Sequence, residues 1–123
     1  MANIRIMIVD DEDDLRDNLL DLLEFKGYEV VPCVTGEEAL QKFDPATLDL
    51  VLLDIQLPGM DGLMVLKEIK RKSPTLPVIM VSASSVRGVQ AKVQEYGADE
   101  LILKPYSQEE ILRAVEQCLA SRA

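Results

Sequence analysis

Short apolar runs alternate with segments of helical periodicity along the whole chain, and this alternation restricts the fold more than any other feature. The runs that predict strands are Ile4–Val9, Tyr28–Cys33, Leu50–Leu53, Val78–Val81 and Leu101–Leu103. Continuous hydrophobicity of this kind is typical of parallel strands that are buried on both faces. Apolar residues at helical spacing follow every run. We therefore predict five βα units, with helices on both faces of one parallel sheet.

The ends of the predicted helices carry sequence signals of their own. Thr35 with Glu38, and Ser107 with Glu110, have the spacing of capping boxes, in which side chains bond the free amides of a helix N-terminus. A glycine follows the first and the fourth helical segments, where a left-handed residue commonly ends a helix. These signals mark four of the five helices that the periodicity predicts.

Polar or charged residues follow four of the five predicted strands. Asp10 and Asp11 follow the first strand, Asp54 the third, Ser82 the fourth and Lys104 the fifth. In parallel sheets, ligands bind beyond the carboxyl ends of the strands, at the point where the strand order reverses. The second strand offers no polar residue, which places it at the side of the sheet. This favours the strand order 2-1-3-4-5, in a doubly wound (βα)5 three-layer sandwich of the flavodoxin-like class.

The residues at this edge of the sheet suit phosphoryl chemistry. Carboxylates at close range repel one another, and a divalent cation relieves the repulsion. Oxygen ligands of this kind suit Mg²⁺, which often binds a phosphate as well. Lys104 adds a positive charge and Ser82 a hydroxyl, so each can meet a phosphoryl oxygen. A carboxylate can itself be phosphorylated, and Asp54 is the best candidate because it ends the central strand.

Each of these residues also has an ordinary structural interpretation. The acidic run Asp10–Asp14 can be a solvated loop whose charges favour the N-terminus of the first helix. Ser82 can be a helix N-cap. A single aspartate or lysine after a strand is weak evidence for a site. The hypothesis of a site depends on the occurrence of such residues at four strand ends together.

The composition disfavours several other kinds of protein. Thirteen Lys and Arg against twenty-two Asp and Glu give a net charge of −9, which disfavours direct binding of nucleic acid. The sequence has no histidine, which excludes His-containing triads and most zinc sites. No apolar run approaches the roughly 20 residues of a membrane span. We interpret Cys33 and Cys118 as free thiols of a cytoplasmic protein, and residues 1–123 as a single domain.

The combination of motifs resembles the receiver domain of two-component response regulators, the chemotaxis-regulator-like fold, over essentially the whole chain. The matching segments are Ile8–Glu12, Leu52–Gly62, Val81–Ala83, Gly97–Ala98 and Lys104–Tyr106. The resemblance implies a signalling switch rather than an enzyme. A partner histidine kinase or phosphotransfer protein would donate a phosphoryl group to Asp54.

The resemblance also implies a metal site. Asp10 and Asp11 would bind Mg²⁺ together with Asp54 and the backbone carbonyl of Gln56. Gln56 and Ser84 match positions at which the family tunes the lifetime of the phosphoryl group.

The resemblance further implies how the switch would work. Lys104 would contact the phosphoryl group, Ser82 would move to hydrogen-bond it, and the Lys104–Pro105 bond would be cis. Receivers often have Tyr or Phe three residues before the lysine, where this chain has Leu101. Tyr106, on the other side of the lysine, is interpreted as a packing residue. We therefore expect the switch to operate mainly through Ser82 and its loop.

The expected output surface consists of the helix after Ser82, the strand Leu101–Leu103 and the helix after Ser107. A homodimer would form through this face, which contains the fourth helix, the fifth strand and the fifth helix. The chain is expected to be either a stand-alone regulator or the N-terminal part of a larger one.

Two other functions compete with a phosphoacceptor. A phosphohydrolase that forms an aspartyl phosphate would need a second aspartate two residues after the nucleophile, where this chain has Gln56. An adaptor that works without phosphorylation would be expected to have lost Asp54, Asp11 or Lys104, and all three are present. A phosphoacceptor receiver is thus the leading hypothesis.

Overall fold

The computed structural model describes residues 3–83 and 87–122, and of Arg87 and Arg122 only the backbone. Five strands alternate with five helices in this part of the chain. The strands are β1 (Arg5–Val9), β2 (Glu29–Cys33), β3 (Leu50–Asp54), β4 (Val78–Ser82) and β5 (Glu100–Leu103). The helices are α1 (Asp13–Phe25), α2 (Gly36–Lys42), α3 (Gly62–Lys72), α4 (Arg87–Glu95) and α5 (Gln108–Arg122).

The strands form one parallel sheet in the order β2-β1-β3-β4-β5, which confirms the predicted topology. The predicted limits of the strands agree with the observed ones to within one residue. Asp54 and Ser82 were expected just beyond their strands, but they are the last residues of β3 and β4. The reason is that both still pair with a neighbouring strand, Asp54 opposite Val81 and Ser82 opposite Leu103.

Successive residues of each strand face opposite sides of the sheet, so the hydrophobic core has two halves. On one side, Ile8 of β1 packs with Leu23 of α1 and Ile111 of α5. On the other side, Met7 packs with Leu66 of α3, and α2 and α4 complete that layer. All five residues of β3 are buried. β3 is therefore the central, fully buried strand, and its carboxyl end is flanked by β1 and β4.

The predicted capping boxes form, with one difference in detail. The Ser107 hydroxyl accepts from the Glu110 amide, and the Glu110 carboxylate accepts from the Ser107 amide, both at 3.1 Å. At α2, the Thr35 hydroxyl accepts from the Glu38 amide at 3.0 Å. The Glu38 carboxylate, however, accepts from the Val34 amide at 2.6 Å, one residue before the expected partner. Both helices begin where the sequence predicts.

The glycines after α1 and α4 have the left-handed backbone that such positions favour. Gly27 has a φ of 93° and Gly97 a φ of 88°. A residue with a Cβ atom is strained in this conformation, so glycine lets the chain turn directly into the next strand. Both turns connect a helix to the amino end of a strand, opposite to the edge where the polar strand ends meet.

Both cysteines, Cys33 and Cys118, are buried free thiols, as the sequence predicted. Burial raises the pKa of Cys33 to about 11, so this thiol stays protonated and unreactive at neutral pH. Across residues 3–83 and 87–122, none of the helices combines the length and the apolar character that crossing a membrane requires.

Candidate functional site

The carboxyl ends of β1, β3 and β5 bring a lysine and three carboxylates together. Lys104 Nζ lies 2.7 Å from Asp54 Oδ2, 3.4 Å from Glu12 Oε1 and 3.8 Å from Asp10 Oδ2. The side chains of Asp10 and Asp54 are each 4% exposed and that of Lys104 is 13% exposed, whereas Glu12 is open to solvent. The site is thus a nearly buried group of charges that is accessible from one side.

Backbone amides fix the orientation of the two buried carboxylates. Asp10 Oδ1 accepts from the Glu12 amide at 2.8 Å, and Asp54 Oδ1 accepts from the Gln56 amide at 2.9 Å. In each case the aspartate bonds the amide two residues later, which is a local turn that aspartate favours. The second oxygen of each carboxylate then remains available, and both of these oxygens lie near Lys104 Nζ.

The three carboxylates of the site could hold a metal ion. We call Asp10, Glu12 and Asp54 the acid cluster. One oxygen of each lies within 4.8 Å of the others. A site with only oxygen donors suits Mg²⁺. Asp11, which the sequence predicted as a ligand, is exposed and lies outside this cluster. The donor set therefore fits the predicted ion, with Glu12 in the cluster where Asp11 was expected.

The charges of the site are not fully compensated. Burial raises the pKa of Asp10, and the negative charges of Asp54 and Glu12 raise it further, against the lowering effects of the Glu12 amide and Lys104. For Lys104, burial alone would lower the pKa, but the hydrogen bond to Asp54 and the surrounding carboxylates raise it overall. One protonated lysine thus faces three carboxylates, an arrangement that attracts a further cation.

The backbone links the site to β4 and β5. Ser82 is fully buried at the end of β4, and its carbonyl accepts from the Lys104 amide at 2.8 Å. The Ile55 amide donates to the Val81 carbonyl at 2.9 Å, which joins β4 to the residue after Asp54. A displacement of Ser82 would therefore affect the backbone on both sides of the site. Ser84, which the resemblance connects with phosphoryl lifetime, lies outside the described residues.

Leu101, three residues before Lys104, and Tyr106, two residues after it, pack into different halves of the core. Leu101 is half-buried against the half that contains α3 and α4, and Tyr106 is half-buried against the half that contains α1 and α5. Tyr106 is thus a packing residue, as predicted. The Lys104–Pro105 bond is cis, as the resemblance implied.

The hydroxyl of Tyr106 is buried and has no hydrogen-bond partner within the described part of the chain. We expect Tyr106→Phe to raise the free energy of unfolding by about 1 kcal/mol, because a buried hydroxyl without a partner carries an uncompensated desolvation cost. Urea unfolding without Mg²⁺ measures this change. Tyr96→Phe is the control: its ring lies 5.6 Å from Lys67 Nζ, away from the site, and we expect a change within about 0.5 kcal/mol. A loss of stability in Tyr106→Phe would contradict the prediction.

Two residues of the site were not singled out from the sequence. Glu12 follows Asp10-Asp11 directly, so the acidic run contained the signal, but the spacing did not indicate which of its members would face Lys104. Arg16 lies in α1 with a nearly buried side chain, and Arg16 Nη1 donates to the Asp10 carbonyl at 2.9 Å. The apolar residues around it predict the helix and give no indication of this contact.

Comparison with known proteins identifies the family. A family model described as the response regulator receiver domain matches residues 6–116. The sensory transduction protein RegX3 of Mycobacterium bovis is 40% identical over 114 residues, which make up 93% of this chain and 50% of that protein. The chain spans about half the length of the curated relatives of this type.

Solved structures agree with the sequence relatives. A CheY-like receiver domain protein from Methanospirillum hungatei superimposes with a TM-score of 0.94 and 32% identity, covering 98% of this chain and 97% of that one. The response regulator TrrA from Thermotoga maritima, in complex with Mg²⁺–BeF, gives a TM-score of 0.85 and 37% identity, covering 94% and 99%. The sheet order, the matched family model and these relatives establish that the chain belongs to the receiver domain family of two-component response regulators, whose members are signalling switches.

Proposed function

We propose that the chain is a phosphoacceptor whose Asp54 accepts a phosphoryl group in a Mg²⁺-dependent transfer. The observation that carries the proposal is the position of Asp54, nearly buried at the end of the central strand with Lys104 Nζ 2.7 Å from Oδ2. A carboxylate held against a cation, beside two further carboxylates, suits the transfer of an anionic group. Receiver domains generally interact with histidine kinases, and we propose a histidine kinase or a phosphotransfer protein as the donor.

In this transfer, Asp54 Oδ2 attacks the phosphorus of a phosphohistidine. The new O–P bond forms as the P–N bond breaks, and the electron pair of that bond leaves with the imidazole nitrogen. The hydrogen bond from the Gln56 amide to Oδ1 keeps the carboxylate in one orientation, which leaves Oδ2 to react. Lys104 meets negative charge on a phosphoryl oxygen. The buried Ser82 ends the adjacent strand, from which its hydroxyl would bond another oxygen.

We propose that Mg²⁺ is held by Asp10 and Asp54, with the backbone carbonyl of Gln56 and a further carboxylate from the turn after β1. The resemblance assigns that carboxylate to Asp11, whereas the acid cluster contains Glu12. When bound, the ion would offset negative charge on the carboxylates and on the phosphoryl oxygens. The uncompensated charge of the acid cluster supports this proposal.

We further propose that phosphorylation is read out at the face formed by α4, β5 and α5. Lys104 follows β5 directly, and its amide donates to the carbonyl of Ser82 at the end of β4. The two residues that would contact the phosphoryl group are therefore bonded to each other beside this face. β5 is the outer strand, and Leu103 on it is 38% exposed. Two surface pockets, of about 420 and 370 Å³, lie along β5, the first towards α4 and the second towards α5. A homodimer or a target protein would occupy this face.

The alternatives are less well supported. A phosphohydrolase would need an acid at residue 56, and Gln56 offers none; the residue bonds Asp54 through its backbone amide. An adaptor that works without phosphorylation has no need of Asp54, Asp10 and Lys104 in contact. We propose residues 1–123 as one receiver domain of a cytoplasmic protein. The net charge of −9 supports the absence of direct nucleic-acid binding by this domain.

The proposal is tested by phosphorylation with a small donor such as phosphoramidate, followed by mass spectrometry of the intact chain and its peptides. We expect one phosphoryl group on the peptide that contains Asp54, no product in EDTA, and recovery when Mg²⁺ is restored. Asp54→Asn should abolish the product. Asp61→Asn is the matched control, because Asp61 caps α3 with bonds to the Leu63 and Met64 amides that asparagine can also accept.

Undiminished phosphorylation of Asp54→Asn would show that another residue is the acceptor. Equal phosphorylation in EDTA and in Mg²⁺ would contradict the metal dependence. Loss of product in Asp61→Asn as well would indicate that a disturbed loop, rather than the nucleophile, had been tested.

A further inference from the structure

The side chain of Arg16 is directed back from α1 onto the end of β1. Only 14% of this side chain is exposed. Its Nη1 donates to the Asp10 carbonyl at 2.9 Å, and its Nη2 donates to Asp13 Oδ1 at 2.6 Å. One guanidinium thus connects Asp10, the first residue after β1, to Asp13, the first residue of α1.

These contacts complete the anchoring of Asp10. Its amide donates to the Cys33 carbonyl at 3.1 Å, its Oδ1 accepts from the Glu12 amide, and its carbonyl accepts from Arg16. The one further oxygen of Asp10, Oδ2, lies 3.8 Å from Lys104 Nζ. Every other polar atom of Asp10 is therefore held by the protein, and Arg16 supplies the hold on the carbonyl.

The stability gained from the ion pair with Asp13 does not explain why the Arg16 side chain is mostly buried. The Asp13 side chain is 80% exposed, and exposed pairs at this spacing contribute little to stability. The guanidinium donates from two nitrogens to two different residues, so it can instead fix the position of one acceptor relative to the other. The acceptor inside the site is the backbone of Asp10.

We infer that Arg16 is a positioning residue for metal binding, which holds the turn from Asp10 to Asp13 in the conformation that presents the Asp10 carboxylate. The inference rests on the proposed Mg²⁺-dependent function. Groups that orient the ligands of a metal typically change its affinity by about 10- to 100-fold when they are removed. Without Arg16, binding would have to order the turn as well, and the affinity for Mg²⁺ would fall.

The charge of Arg16 affects Mg²⁺ binding in the opposite direction. The sign of the change in Mg²⁺ affinity on substitution therefore tests the inference. A positive charge near the carboxylates repels Mg²⁺, so its removal alone would strengthen binding. If positioning dominates, Arg16→Gln weakens binding, and Arg16→Lys, which keeps the repelling charge but lacks the paired donors, weakens it at least as much. If charge dominates, Arg16→Gln strengthens binding and Arg16→Lys leaves it unchanged.

The experiment is a titration of the folded chain with Mg²⁺ alone, followed by calorimetry and by the amide NMR signals of Asp10 to Asp13. We expect about 10-fold weaker binding in Arg16→Gln. Arg71→Gln is the matched control, because Arg71 makes an ion pair with Glu68 at the same spacing on α3, 2.9 Å long and away from the site. This control should bind Mg²⁺ with unchanged affinity.

A second variant keeps the inference testable if Arg16→Gln does not fold. Asp13→Asn leaves the guanidinium in place and removes its charged partner, and we expect it to weaken Mg²⁺ binding by a smaller factor. Unchanged or tighter binding in Arg16→Gln, while the unmodified chain binds Mg²⁺, would overturn the inference alone. Absence of Mg²⁺ binding by the unmodified chain would overturn both the inference and the metal dependence of the proposed function.

Discussion

Gly62→Ala is expected to destabilise the fold by about 3 kcal/mol or more, at the upper end of the cost of overpacking. A Cβ atom at residue 62 would lie 2.2 Å from the Asp54 carbonyl oxygen and 2.6 Å from Ile55 Cα. Both are backbone atoms, which cannot rotate away as a side chain can. The loop between β3 and α3 would have to move, and Asp54 would move with it. We therefore expect slower phosphorylation as well as a lower urea midpoint.

Gly88→Ala is the matched control for this prediction. Gly88 lies in α4, and a Cβ atom there would meet nothing within 4 Å. Because alanine is favoured over glycine inside a helix, we expect this variant to be more stable by up to about 1 kcal/mol. A Gly62→Ala protein as stable as the unmodified chain would show that the loop can relax, and that the close approach of α3 to Asp54 is not a constraint.

The sequence predicted the sheet well because the relevant signal is long and repeated. Five apolar runs, each followed by a helical period, admit one class of fold, and the absence of a polar residue after the second strand was enough to predict the strand order. Asp10, Asp54 and Lys104 could be brought together on the same grounds, since parallel strands end at one edge. Such an argument uses only the order of the elements along the chain.

Details that depend on a single turn could not be predicted in this way. Whether Asp11 or Glu12 faces Lys104 depends on the local turn in which the Glu12 amide donates to Asp10 Oδ1. The Arg16 contact depends on the same turn. The close approach of Gly62 to Asp54 depends on how the loop between β3 and α3 folds back. The spacing of apolar residues does not indicate the conformation of that loop.

The position of Glu38 illustrates the same limit at a helix end. The sequence spacing predicted that its carboxylate would accept from the amide of Thr35, and the backbone before α2 instead presents the amide of Val34. A capping motif specifies that a bond will form at the helix N-terminus, because the free amides there require acceptors. It does not specify which of two neighbouring amides is nearer.

Lys104→Met is expected to lower the free energy of unfolding by about 3–5 kcal/mol in the absence of Mg²⁺, the cost of leaving buried partner charges unpaired. Methionine keeps much of the side-chain volume but removes the cation that lies between Asp54, Asp10 and Glu12. The carboxylates of Asp10 and Asp54 are each 4% exposed, so water replaces the lysine only in part. Urea unfolding in EDTA measures the loss.

Mg²⁺ should reverse much of this loss, because the ion and Lys104 neutralise the same carboxylates. A ligand that binds only the folded state stabilises it by about 1.4 kcal/mol at ten times its dissociation constant and about 2.7 kcal/mol at one hundred times. Without the competing lysine, the variant should bind Mg²⁺ more tightly than the unmodified chain. The stabilisation by a given concentration of Mg²⁺ should therefore be larger in Lys104→Met.

Acid should act in the same direction as the metal. Because the pKa of Asp10 is raised in the folded chain, the folded state takes up its proton at a higher pH than the unfolded chain does. The destabilising charge is thus present above the folded pKa and is lost as the pH falls towards 3.8, the ordinary value. In EDTA, the deficit of Lys104→Met should become smaller across that window.

Lys70→Met separates these effects from the general cost of removing a nearly buried lysine. The Lys70 side chain is also 13% exposed and lies 2.9 Å from Asp99, and it donates to the Leu76 carbonyl at 2.8 Å. This variant should lose stability as well, but by an amount that is the same in EDTA and in Mg²⁺, because no acid cluster of the described residues adjoins it. An equal loss in both conditions for Lys104→Met would show that the lysine and the metal do not share the acid cluster.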